Sequence, residues 1–205
     1  MKINVPFFKQ TNSFNCGPFA LKMVLAYFGE DFDIQLLEEK VGIKKDKGIY
    51  TIQIATASEL LGYKTKFYSK HLGINPENLK MDFYKKYAEE FKDSDKIFFD
   101  AKSAGVEIYE KTLSLENLLK FVSKDSIPII LLDWNLITSK EEKGYQGHFV
   151  PIIGYNTKSV YVHNHGLNNP KEFMEISRKL FDKARKAKGT DEDLLIIHRK
   201  VYKFH

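Results

Sequence analysis

The chain reads as an α+β fold in which an N-terminal helical part packs on a C-terminal antiparallel sheet. Three observations predict it. Apolar residues recur with helical period through the first third. Short β-branched runs bounded by Gly, Asn and Pro dominate the last third. The segment Gly154-Tyr155-Asn156-Thr157-Lys158 joins two of those runs as a hairpin, and this segregation of helices and strands is the α+β signature.

Taken in order, Phe19, Ala20, Met23, Val24, Tyr27 and Phe28 mark one face of a helix from Cys16 to Phe28. Pro18 suits its first turn, and Gly29 closes it. Ile34 to Val41 and Tyr50 to Leu61 are two further amphipathic helices, separated by the polar turn Lys44 to Gly48 and ended by Gly62. Tyr63 to Tyr68 alternates as a short strand. Asn78 to Phe91 is a charged, aromatic helix, and Ser114 to Val122 another, with Ser114 as N-cap. Ile127 to Leu132, Phe149 to Ile153, Ser159 to Val162 and Leu194 to Arg199 are strands.

A chain of 205 residues with 43% hydrophobic and 29% charged residues can bury a full core, which excludes a disordered or collagen-like protein. No linker or repeat divides it, so residues 1–205 are expected to form one domain, with a helical insertion at about 70–113. One Cys excludes a disulfide framework. The longest apolar run, Ile127 to Leu132, is far too short to span a bilayer, and nothing at the N-terminus marks export. A cytoplasmic location is expected. The net charge of +5 permits nucleic-acid contact without requiring it. Its main basic cluster, Arg178 to Lys188, carries an apolar stripe of Phe173, Ile176, Leu180 and Phe181 and reads as a solvated helix face. Tyr84, Tyr87 and Phe91 beside Lys85, Lys86 and Lys92 fit a helix packed on the core as well as a stacking surface, so no nucleic acid is expected as a partner.

The sharpest chemical feature is Gln10-Thr11-Asn12-Ser13-Phe14-Asn15-Cys16-Gly17-Pro18. Cys16 stands at the first turn of the strongest helix, where unpaired N–H groups and the helix dipole favour thiolate. Its pKa is therefore expected below the free value of about 8.5. The Gln10 amide, with the Cys16 N–H, would make a two-donor oxyanion site. His148 opens an apolar strand, with Gly147 leaving room beside it, and is the candidate base. Asn164, at the end of the next antiparallel strand, is placed to orient the imidazole, with His163 turned into other packing. His148, His163 and His165 could instead form a metal site, but that would leave Cys16 and Gln10 unexplained; no metal and no cofactor is expected.

The Gln-x5-Cys-Gly-Pro start and the helix behind it resemble the bacteriocin-processing (double-glycine leader) cysteine peptidases and their stand-alone relatives. So do Gly147-His148-Phe149-Val150-Pro151-Ile152-Ile153-Gly154-Tyr155, Val160-Tyr161-Val162-His163-Asn164, Leu131-Leu132-Asp133-Trp134-Asn135 and Gly189-Thr190-Asp191-Glu192-Asp193-Leu194-Leu195. The likeness covers residues 5–69 and 114–200. It implies a papain-like fold with Cys16 as nucleophile, Gln10 as oxyanion donor, His148 as base and acid, and Asn164 as orienting residue. Gly147 and Trp134 are expected to border the substrate. The family usually has Asp-Pro where this chain has Asn164-His165, so the imidazole lacks a negative partner. Leader-cleaving members are fused to a transporter, and that specificity does not transfer. The expected function is a cysteine peptidase or amide hydrolase acting through a thioester on a peptide or protein. An acyltransferase or deamidase, or a catalytically silent peptide-binding module, are the alternatives.

Overall fold

The computed structural model describes residues 1–73, 75–87 and 94–200. The first helix, α1 (Cys16–Tyr27), buries Phe19, Leu21, Met23, Val24 and Leu25. Gly29 follows it with a φ of +102°, a conformation that suits glycine. Gly17 lets the start of α1 approach the chain closely, since a Cβ there would lie 2.6 Å from Ile49 Cδ1 and 2.9 Å from Ile54 Cδ1. Next come α2 (Ile34–Val41), capped by the Asp33 side chain, and α3 (Thr51–Leu60).

Among the described residues, seven strands form one sheet in the order β2-β1-β7-β3-β4-β5-β6. They are β1 (Thr65–Ser69), β2 (Glu107–Glu110), β3 (Ser126–Asp133), β4 (Gly147–Tyr155), β5 (Ser159–Asn164), β6 (Lys171–Ser177) and β7 (Leu194–His198). All neighbours are antiparallel except β1 and β2. Every residue of β3 is buried, and β4 is buried except at its ends. Such central strands are covered on both faces: α1 packs against β3 and β4, and α9 (Arg178–Arg185) against β3.

Between β1 and β3 lie α4 (Pro76–Leu79), α5 (Asp82–Tyr87), α6 (Ser94–Ala104), β2 and α7 (Leu115–Leu119), with Ser114 accepting from Asn117 N as N-cap. The expected helix over Asn78–Phe91 is broken at Lys80 and Met81; Phe91 and Lys92 lie outside the described residues. The expected helical stripe through Phe173 and Ile176 is also corrected. Both sit on the edge strand β6, and the helix begins only at Arg178, capped by Ser177. Arg185 of the basic cluster turns inward and is 1% exposed, held by Asp182 at 2.6 Å and Glu192 at 3.0 Å. A short helix, α8 (Trp134–Ile137), follows β3 directly and is capped by Asp133. Among the described residues no helix is long and apolar enough to cross a membrane.

Candidate active site

Cys16 is the first helical residue of α1 and is half-buried. The N–H groups of Gly17 and of Cys16 itself favour its anion, as does the Phe149 N–H from β4. That contact places the sulfur one residue from His148 along β4. The expected low thiol pKa is nevertheless overturned. Burial outweighs the three N–H groups and pushes the Cys16 pKa up, because an anion taken out of water costs more than they return.

His148 pairs with Leu132 across β3 and β4 and is 7% exposed. Its ring meets Trp134 edge-on at 4.7 Å and His165 at 4.9 Å. Burial drives its pKa well below the ordinary imidazole value, and His165 pushes in the same direction; Asn164 opposes them. Both groups therefore rest neutral, as thiol and imidazole, and not with the thiolate that the helix terminus suggests.

Asn164 ends β5 and is buried. Its Nδ2 donates to the Asn169 carbonyl at 2.8 Å, and its Oδ1 accepts from the Gly166 N–H at 3.2 Å. It lies close enough to favour a charged His148, although the buried Nε2 of His148 makes no aligned hydrogen bond. Gly166 leaves the gap between them: a Cβ there would lie 3.2 Å from Asn164 Oδ1 and 3.7 Å from His148 Nε2. Gln10 is 9% exposed, and one N–H of its Nε2 donates to the Asn12 carbonyl at 2.8 Å. Its amide group keeps a second N–H, the one an oxyanion would use.

Sequence reasoning missed the part played by His165. Fully buried, it sets Nε2 2.8 Å from the Cys16 carbonyl oxygen and accepts the Gln10 N–H on its own carbonyl at 3.0 Å. Burial lowers its pKa to about 4, so the neutral ring has one N–H to give, and the shorter bond to Cys16 takes it. His163 is turned away, as expected. It donates from Nε2 to the Val5 carbonyl at 2.9 Å and accepts the Phe173 N–H on Nδ1 at 3.2 Å.

A cleft of about 700 Å³ opens beside Cys16. Gly147 and Phe149 line it, whereas Trp134 packs behind His148. Phe83, Tyr84 and Tyr87 of α5 also line it, as do Tyr145 and Asp193.

These features define a papain-like fold. Three solved structures are similar over nearly all of the chain. One is a putative C39-like peptidase from Bacillus anthracis (17% identity, 98% of this chain and 100% of that one, TM-score 0.61). Another is a double glycine motif protease from an AMS/PCAT transporter, in complex with the leader peptide (18%, 97% and 94%, 0.54). The third is the peptidase domain of Streptococcus ComA (13%, 94% and 96%, 0.52). The chain itself belongs to the guanylylate cyclase family, whose model matches residues 5–197. A curated relative, Guanylyl cyclase 1 of Arabidopsis thaliana, is 27% identical over 210 residues, covering 96% of this chain and 76% of that protein.

Proposed function

We propose that the chain is a cysteine-dependent amide hydrolase acting on peptide-like substrates. The observation that carries this reading is the Cys16 sulfur at the start of α1, turned to the Phe149 N–H and next along β4 to His148. Because both groups rest neutral, the proton moves as the bond forms. His148 takes the thiol proton while sulfur attacks the amide carbonyl carbon. The Cys16 N–H and the free N–H of the Gln10 amide hold the oxyanion. His148 then gives its proton to the leaving amine, and a water, deprotonated by the same ring, opens the thioester to a carboxylic acid. Asn164 steadies the imidazolium by a neutral dipole, with less stabilisation than a carboxylate would give.

The family's name offers a second reading, the cyclisation of a guanine nucleotide. The observation favouring it is the aromatic cleft with Asp193, since a purine stacks on such rings. The two readings predict opposite dependence on Cys16. Wild type and Cys16→Ala are incubated separately with a peptide-amide library and with GTP, and products are followed by mass spectrometry. Hydrolysed amide, lost by about 10²-fold or more in the variant, is the expected result. Cyclic guanylate formed equally by both proteins would overturn the hydrolase reading.

A further inference from the structure

The cleft beside Cys16 has a feature that peptide hydrolysis alone does not need. Asp193 sits where its wall meets a second, smaller hollow, and it lines both. Thr51 Oγ1 donates to its Oδ2 at 2.7 Å, and the Ser69 hydroxyl also favours its anion. Neither partner is a cation, and among the described residues none pairs with it. The neighbouring acids of the same turn differ. Asp191 accepts from Asn75 and Asn78 at 3.1 and 2.6 Å, and Glu192 holds Arg185. Asp193 is thus the one acid of Asp191–Asp193 that lines the cleft, held there by hydroxyls and by no cation among the described residues.

The walls around it are aromatic and pre-packed. Tyr84 and Tyr145 stack at 5.8 Å with planes 12° apart, and Phe83 meets Tyr145 edge-on and Tyr87 tilted, each at 5.0 Å. The Gly48 N–H donates to the Tyr87 carbonyl at 2.7 Å and ties α5 to the loop before α3. Tyr84 is fixed by its hydroxyl to the Gly189 carbonyl. Flat rings beside a carboxylate that holds hydroxyls but no cation complement a flat cation, which gains ring-face attraction and a charged partner together.

We propose that this cleft is a substrate subsite for an arginine side chain flanking the amide presented to Cys16. The guanidinium lies against Phe83, Tyr84 and Tyr145 and pairs with Asp193. An ordinary lysine ammonium fills the site less well, because it neither stacks nor forks. The inference rests on the amide-hydrolase reading for its substrate, but its binding step does not depend on turnover.

The test is titration calorimetry on the Cys16→Ala chain. The ligands are N-acetylated peptide amides carrying arginine, the uncharged linear norleucine or glutamate at one position, with guanosine as a separate arm. Arginine is expected to bind at least tenfold more tightly than norleucine, and Asp193→Asn to shrink that ratio to about twofold. Phe83→Ala is expected to weaken arginine binding further. Equal binding of arginine and norleucine, or a preference that survives Asp193→Asn, overturns the proposal. So does guanosine binding that Asp193→Asn abolishes, with no arginine preference, because it would assign the cleft to a base. Failure of the hydrolase reading looks different: the arginine preference stands in calorimetry while the wild type cleaves none of the peptides.

Discussion

The imidazole of His165 donates from Nε2 to the carbonyl oxygen of Cys16 at 2.8 Å. One buried side chain thus fixes the first turn of the nucleophile helix to the end of β5. The same residue receives the Gln10 N–H and backs the His148 ring. It is a positioning residue rather than a reacting one. His165→Ala removes this bond to the Cys16 carbonyl and empties a buried site, and is expected to cost about 1–3 kcal/mol of stability. His165→Gln, which can donate a side-chain N–H, should recover part of that loss. The discriminating readout is the acylation rate of Cys16 in the folded variants. It should fall about tenfold in Ala and recover in Gln; a purely structural role would lower the melting temperature and leave the rate unchanged.

The pH profile of Cys16 alkylation follows from two directions of shift. Burial raises the thiol and lowers the His148 imidazole, so thiolate is scarce at neutral pH. Iodoacetamide labelling should therefore climb only on the alkaline side of the ordinary cysteine range. Hydrolysis behaves differently, because it needs His148 as a free base. Its acid limb should lie well below pH 6.5, the ordinary imidazole value. Labelling that is already maximal near pH 7, and that His148→Ala shifts upward, would contradict this and point to a thiolate–imidazolium pair.

Stability should depend on pH through opposed groups. His148, His163 and His165 all have folded pKa values below 6.5, that of His165 about 4. Below pH 6.5 the unfolded chain binds more of these protons, so acidification from there toward pH 4 destabilises the fold. Asp193 runs the other way. Burial raises its pKa from 3.8 to about 7, so the folded chain holds the extra proton, and stability is lost as pH rises across that window. Asp193→Asn removes only the second effect. Thermal melts should show the variant close to wild type at pH 4 and several degrees more stable at pH 8. Equal melting points at both pH values would contradict the shift.

Gly154 marks where the N-terminus is sewn to the sheet. A Cβ there would lie 2.4 Å from the Met1 carbonyl oxygen and 2.9 Å from Lys2 Cα, both backbone atoms that cannot swing aside. Lys2 bridges Gly154, and Ile3 N–H donates to the Ile153 carbonyl at 2.7 Å. Gly154→Ala should detach this segment and cost about 1–3 kcal/mol. Hydrogen exchange should show faster exchange at Ile3 and Tyr155 while α1 stays protected.

Much of this arrangement is legible without coordinates, because it rests on strong local signals. The period of Phe19 to Phe28 and the Asp33-capped run Ile34–Val41 identify their helices, and the apolar runs of β3 and β4 identify the sheet centre. The edge strands β2 and β6 escape for a physical reason. Solvent covers much of both, and β6 buries only Ile176, so neither shows the alternation that a half-buried strand imprints. His165 draws attention only as a metal ligand, since its tie to Cys16 spans 149 positions of sequence. Asp193 and the α5 rings have no local signature of a shared cleft. The Cys16 pKa goes wrong because the helix terminus is visible in sequence and the desolvation is not.

The central claim is that Cys16 is a nucleophile served by His148, and an activated acyl ester tests it most directly. After a short reaction with p-nitrophenyl acetate, intact-mass and peptide-level spectrometry should find one acetyl group, on Cys16, in the wild type. In His148→Ala the rate of its appearance should fall by about 10²-fold or more. Acetyl groups scattered over lysines, or a Cys16 acetylated equally fast without His148, would contradict it.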